Sequence, residues 1–164
     1  ADAGLTGLPN AGKSSLLNAL TRAKSKVGAY PFTTLEPNLG KFHGRILADI
    51  PGLIEGASAG RGLGIKFLKH IERTGIILHL VSADQDDPVA AYEEVRRELE
   101  SFGHGLIEKH EIVILSKIDL IPLEACETKM RLLAKDTGRE VLPVSIKDPE
   151  SLTSFTARLV KMLK

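Results

Sequence analysis

The sequence predicts an α/β fold built on a mainly parallel sheet, and two observations carry that expectation. Short apolar runs at residues 4–8, 41–48, 75–81, 112–115 and 141–144 alternate with helical patterns, as strand–helix–strand units do. The first run passes directly into Gly7-Leu8-Pro9-Asn10-Ala11-Gly12-Lys13-Ser14, a glycine-bounded loop that opens a helix.

Bulk properties narrow the class further. A chain of 164 residues with 43% apolar and 26% charged residues fits one compact domain spanning residues 1–164. The formal net charge of +1 gives no strongly basic surface, so any nucleic-acid contact is local. The one cysteine, Cys126, has no partner for an internal disulfide and no metal-ligand spacing around it, so it reads as an inert helix cysteine in a reducing compartment. No apolar run approaches the length of about 20 residues that spans a membrane, and no secretion signal opens the chain. We expect a cytoplasmic protein with no membrane contact. The start at Ala1, without an initiator methionine, reads as an excised domain.

Taken in order, the loop from Gly7 to Ser14 has the residues that hold a polyphosphate. Backbone N–H groups at a helix N-terminus surround the phosphates, Lys13 supplies a point charge to the β and γ groups, and the Ser14 hydroxyl ligates Mg²⁺. Residues 27–39 and 51–64 break the regular pattern with prolines and glycines and are candidates for segments that change shape with a ligand. The first holds Phe32-Thr33-Thr34, where the Thr34 hydroxyl completes the Mg²⁺ shell when a third phosphate is present. Asp49-Ile50-Pro51-Gly52 ends a strand, so Asp49 reaches Mg²⁺ through water and the Gly52 N–H meets the γ-phosphate. Tyr92, Val95, Leu99 and Phe102 form one apolar helical stripe, opened by Asp87-Pro88 as capping acceptor and first-turn proline; Leu152, Phe155, Leu159 and Met162 form another.

Two later strand ends choose the base. Ser116-Lys117-Ile118-Asp119 places a carboxylate where it accepts both hydrogen bonds from the N1–H and 2-amino edge of guanine, a donor pair adenine lacks. Lys117 runs along base and ribose, and Ser145-Ile146-Lys147 presents a backbone N–H to the guanine oxygen. Five elements at successive strand ends set a ligand across the carboxyl edge of the sheet.

At this length the chain resembles the Obg family of translation-factor-related GTPases. The resemblance rests on residues 7–18, on Tyr30-Pro31-Phe32-Thr33-Thr34-Leu35-Glu36-Pro37-Asn38-Leu39-Gly40, on residues 49–57 and on residues 60–74. It implies a three-layer Ras-like fold, with six mainly parallel strands and helices on both faces. It also implies slow hydrolysis of GTP to GDP and phosphate as a conformational switch, with Mg²⁺, and a role in assembly of the large ribosomal subunit. Family members carry a glycine-rich N-terminal domain that would precede Ala1, and many have an extension beyond Lys164. The contacts to ribosomal RNA and protein are expected there.

The nucleotide contacts implied are the loop 7–14 with Ser15, the segment Phe32 to Glu36 including Leu35, Asp49-Ile50-Pro51-Gly52, Ser116-Lys117-Ile118-Asp119 and Ser145-Ile146-Lys147. Lys13, Thr34 and Gly52 are the catalytic candidates; Ser14, Thr34 and Asp49 are the metal candidates. Three departures stand out. Ser116 replaces the usual asparagine that braces the phosphate loop and base, and is expected to be too short for all of that; Ile146 replaces the usual alanine; and residues 40–49 are shorter than in relatives. Leu53 occupies the position of the glutamine that orients the attacking water in Ras-like switches. Asn10 is therefore a candidate K⁺ ligand, with a plain turn-bracing role as the alternative. His70 and His79 fall on packed elements and read as structural, while Glu55 is left without a role. Two other readings remain: a related P-loop ATPase, against which Asp119 argues, and a ribosome-docking scaffold that binds nucleotide with negligible turnover.

Overall fold

The computed structural model describes residues 2–29, 38–50, 73–103 and 105–163. Within them lie seven strands, β1 (Ala3–Gly7), β2 (Lys26–Ala29), β3 (Asn38–Phe42), β4 (Arg45–Asp49), β5 (Ile76–Ser82), β6 (His110–Ser116) and β7 (Val141–Pro143). The four helices are α1 (Lys13–Ser25), α2 (Pro88–Phe102), α3 (Leu123–Thr137) and α4 (Pro149–Met162). The sheet order is β2-β3-β4-β1-β5-β6-β7. Strands β4, β1, β5, β6 and β7 run parallel, and β2 and β3 join antiparallel at one edge. The sheet is mainly parallel, as expected, but has seven strands rather than six.

Side-chain alternation explains the three layers. Along β5 and β6, Leu78, Leu80, Ile112 and Ile114 face a core shared with Leu16, Leu17, Phe155 and Leu159 of α1 and α4. Val81, Val113 and Leu115 face the opposite core with Tyr92, Cys126 and Leu133 of α2 and α3. Successive strand residues point to opposite faces, so the middle of β6, residues 112–115, is apolar on both sides, β5 is apolar but for His79 and Ser82, and helices cover both faces. Each fully buried leucine contributes about 1.5–3 kcal/mol through the apolar surface it removes from water. In the central strand β1 every residue is buried. There Gly7 is obligatory: a Cβ would stand 2.7 Å from the Leu80 carbonyl oxygen.

The expected helix signals hold where they can be seen. The Asp87 carboxylate accepts from the Ala90 N–H at 3.0 Å, and Pro88 occupies the first turn of α2. Tyr92, Val95 and Leu99 are buried, as are Phe155 and Leu159 of the second stripe and Cys126. One expectation needs correction. Residues 41–48 are not one strand but parts of β3 and β4, reversed at His43 and Gly44, whose φ values of 49° and 80° belong to the left-handed region. Two consecutive left-handed residues match the twist of a tight hairpin. The other addition, β2, occupies 26–29 and pairs with β3, where the sequence suggested an irregular loop.

Candidate functional site

The loop after β1 is held by its own backbone. The Ala11 N–H donates to the Leu8 carbonyl at 3.0 Å, and α1 begins as the Leu16 N–H reaches the Gly12 carbonyl at 2.9 Å. Asn10 and Gly12 sit at φ 70° and 94°, a conformation glycine adopts freely and asparagine better than most residues. Among the described residues, the N–H groups of Gly12, Lys13 and Ser14 have no backbone partner. A row of free donors at a helix N-terminus is the arrangement that attracts an anion.

Asp49 arrives beside this row because β4 pairs in parallel with β1, Leu5 opposite Asp49. Its Oδ2 accepts from the Ser14 hydroxyl at 2.9 Å, and the Lys13 Nζ lies 3.9 Å from Oδ1. Oδ1 is buried without a hydrogen-bond partner among the described residues. Burial pushes the Asp49 carboxyl above its ordinary range, against the pull of the Lys13 ammonium and the Ser14 hydroxyl. An unpaired buried carboxylate oxygen next to a serine hydroxyl is a hard-oxygen donor set, and it fits a partly hydrated Mg²⁺.

The other half of the site lies at the ends of β6 and β7. Ser116 is buried, and its hydroxyl donates to the Ala11 carbonyl at 2.7 Å, with the Val81 carbonyl a second acceptor at 3.3 Å. Serine therefore reaches the phosphate loop, one of the two elements that the usual asparagine braces. Lys117 takes a left-handed backbone, φ 58°, and its Nζ donates to the Asn10 carbonyl. Gly12 is 3.5 Å from the Lys117 Cε, measured from where a Cβ would stand, so the lysine stem passes over the loop. Asp119 follows in a short 3₁₀ turn and accepts from the Ser145 hydroxyl at 2.8 Å.

The Ser145-Ile146-Lys147 turn is itself tied down. Ser151 at the start of α4 accepts from the Ser145 N–H at 3.0 Å and donates back to the Ser145 carbonyl at 3.1 Å. The Lys147 N–H donates to the Ser145 hydroxyl at 3.1 Å. Of the three N–H groups in this turn, only that of Ile146 has no partner among the described residues. A cavity of about 260 Å³ runs from Gly12, Ser15 and Leu16 past Ser116 and Lys117 to Asp119, Ile146 and Lys147. It joins the anion-attracting loop to a carboxylate and a free N–H.

The structure thus brings together Gly7 to Ser15, Asp49, Ser116 to Asp119 and Ser145 to Lys147, whereas the Ile50 side chain is buried against Gly4 of β1. Phe32, Thr33, Thr34, Leu35, Glu36, Pro51, Gly52, Leu53, Glu55 and His70 lie outside the described residues. Asn10 is exposed, and its carboxamide makes no hydrogen bond among the described residues, so it does not brace the loop through its side chain. His79 is fully buried, stacked on Tyr92 with ring centroids 4.4 Å apart, and burial keeps its imidazole below the usual range. It belongs to the core. One contributor carried no sequence signal: Ser151, which holds the Ser145 turn. No helix among the described residues is long and apolar enough to cross a membrane.

Comparisons with known proteins bear on the fold and the family. GTPase Obg of Rhizorhabdus wittichii is 50% identical over 167 residues, an alignment covering 99% of this chain and 48% of the relative. The chain therefore spans about half the length of that relative. The fold is shared with the G domain of the T. maritima FeoB iron transporter, TM-score 0.64 at 24% identity, covering 99% of this chain and 98% of that one. It is also shared with translation elongation factor SelB from Methanococcus maripaludis, in complex with the GTP analogue GPPNHP. There the TM-score is 0.68 at 16% identity, covering 98% of this chain and 33% of that one. The family described as 50S ribosome-binding GTPase matches residues 2–117, and the chain belongs to that family.

Proposed function

We propose that residues 1–164 form a single G domain that binds GTP with Mg²⁺ and hydrolyses it slowly to GDP and phosphate as a conformational switch. The observation that carries this reading is the cavity joining Gly12 to Asp119 and Ile146. One end offers free N–H groups and Lys13 to phosphates, and the other offers an acceptor and a donor that match the Watson–Crick edge of guanine.

In this reading Gly7 to Ser15 enclose the phosphates and Lys13 balances charge on the β and γ groups. Ser14 and Asp49 hold Mg²⁺, directly and through water, with Thr34 as the third oxygen and the Gly52 N–H facing the γ-phosphate. The metal, when bound, neutralises charge that develops on the transferred phosphoryl group. Asp119 accepts from the guanine N1–H and 2-amino group, the Ile146 N–H donates to the guanine oxygen, and Lys117 covers the base and ribose. Phe32, Thr33, Leu35, Glu36, Pro51 and Ile118 complete the nucleotide contacts. With leucine at position 53, charge compensation is assigned to K⁺ held by the Asn10 carboxamide, which is exposed and unpaired.

The whole protein is proposed to act in the cytoplasm, in assembly of the large ribosomal subunit, by contacts to its RNA and protein. The name of the Rhizorhabdus wittichii relative and the description of the family support this. Competition binding among GTP, GDP and ATP tests the nucleotide: GTP and GDP displace one another and ATP does not, whereas a preference for ATP ends the reading. Phosphate release with and without large ribosomal subunits tests turnover. Release in neither condition favours the docking scaffold.

A further inference from the structure

Ser116 lines the cavity at which guanine would sit, yet it is only 5% exposed and its hydroxyl points at protein. A hydroxyl carries one proton. Here that proton goes to the Ala11 carbonyl at 2.7 Å, with the Val81 carbonyl as a further acceptor at 3.3 Å. Guanine presents two acceptors on its Hoogsteen side, O6 and N7. The Ile146 N–H is unpaired and available to O6, but Ser116 has no proton left for N7. The Lys117 ammonium keeps two further protons, but it is anchored over the phosphate loop, on the Asn10 carbonyl with its stem beside Gly12.

We infer that this chain reads guanine by its Watson–Crick edge alone and leaves N7 unread, with Ser116 acting as a positioning residue for the phosphate loop. The inference rests on the guanine reading above and adds which edge of the base confers affinity. Asparagine at the same position would carry two amide protons, enough to hold Ala11 and to reach the base.

The test is a calorimetric titration of the chain, in Mg²⁺, with GDP, 7-deaza-GDP and ADP. Replacing N7 by C–H removes only that acceptor. The expected result is that 7-deaza-GDP binds within about twofold of GDP, since no hydrogen bond is lost, while ADP binds at least tenfold more weakly. For Ser116→Asn, 7-deaza-GDP falls about three- to tenfold below GDP, the worth of one hydrogen bond. Ser116→Ala, which loosens the loop, weakens GDP and 7-deaza-GDP by the same factor. Discrimination of tenfold or more by the unaltered chain overturns the inference, and that measurement needs no variant to fold. So does an unequal loss in Ser116→Ala. ADP binding as tightly as GDP overturns the guanine reading itself, whatever the result with 7-deaza-GDP.

Discussion

Asp49 and Glu111 are carboxylates on strands of one sheet, 5% and 3% exposed, and their surroundings push them in opposite directions. Burial raises Asp49, and the Ser14 hydroxyl and the Lys13 ammonium at 3.9 Å do not offset it. Burial raises Glu111 too, but His79, Tyr92 and Arg96 together outweigh it and hold the carboxyl at about 2. The Arg96 guanidinium donates to Glu111 at 2.7 Å and to the Ile107 carbonyl at 3.3 Å, tying α2 to the strand. Each carboxylate keeps one buried oxygen without a hydrogen bond among the described residues, Glu111 Oε1 with the His79 Nδ1 at 3.4 Å, and what separates them is charge: Glu111 has the Arg96 guanidinium hydrogen-bonded to Oε2. Asp49 is left with a buried oxygen and a deficit of positive charge, the state expected of a group whose partner is a ligand.

The sharpest way to break this comparison is to remove each carboxylate in turn. Glu111→Ala leaves Arg96 without its anion and is expected to cost about 3–5 kcal/mol in urea unfolding, as broken buried pairs do. Asp49→Asn, by contrast, removes an uncompensated buried charge, so the nucleotide-free chain keeps its stability or gains some. Its Mg²⁺-dependent GDP affinity falls by about tenfold or more in fluorescence titration. Equal stability losses in the two variants would erase the distinction between a structural and a ligand-facing carboxylate.

Proton linkage separates the same two groups by sign. Glu111 is depressed in the folded chain, so its stabilisation is complete above its ordinary value of 4.5 and disappears as pH falls from 4.5 towards 2. Asp49 is raised above 3.8, so it opposes folding at neutral pH and that opposition fades as pH falls through its folded value. His79 is lowered below 6.5, so the unfolded chain takes up its proton first and stability falls as pH drops through 6.5. Unfolding free energy measured from pH 7 to pH 2 should therefore decline in two stages. Glu111→Gln should flatten the second, between 4.5 and 2, and Asp49→Asn should steepen the decline at pH above 3.8. A second stage that survives in Glu111→Gln would show that other carboxylates govern acid unfolding.

What was legible in the sequence divides along the same line. The phosphate loop, the capped helix at Asp87 and the alternating apolar runs are local patterns, and local patterns fix them. The Glu111 cluster was invisible because it joins β5, β6 and α2. The charged residue even shortened the expected strand to residues 112–115, where β6 runs from His110 to Ser116. Strand β2 was missed for a related reason: Lys-Val-Gly-Ala has little strand character of its own and is set by pairing with β3. At the site, residue types were readable but reach was not. That Ser116 touches Ala11 follows from where β6 ends relative to β1, separated by β5.

A smaller effect tests how the base-facing turn is held. Ser151→Ala removes both hydrogen bonds to Ser145 and should cost about 1 kcal/mol of stability. GDP affinity should weaken about threefold as the Ser145-to-Asp119 contact loosens, with phosphate contacts intact. If pyrophosphate affinity, measured by the same titration, weakens as much as GDP affinity, then Ser151 supports the whole fold and not the base pocket.

The least perturbing change concerns Asn10, which lies on the ligand-facing side of the comparison. Its φ of 70° suits asparagine or glycine, and its exposed carboxamide bonds nothing among the described residues. Asn10→Gly therefore keeps the backbone and deletes only the side chain, and its stability should stay within about 0.5 kcal/mol of the parent. Asn10→Ala should lose about 1 kcal/mol, because alanine resists the left-handed region. If the carboxamide holds K⁺, both variants lose the excess of GTP turnover in K⁺ over Na⁺ while GDP affinity is retained. If Asn10 serves only the turn, Asn10→Gly behaves as the parent in both salts, and the exposed Asn10 side chain has a conformational role alone.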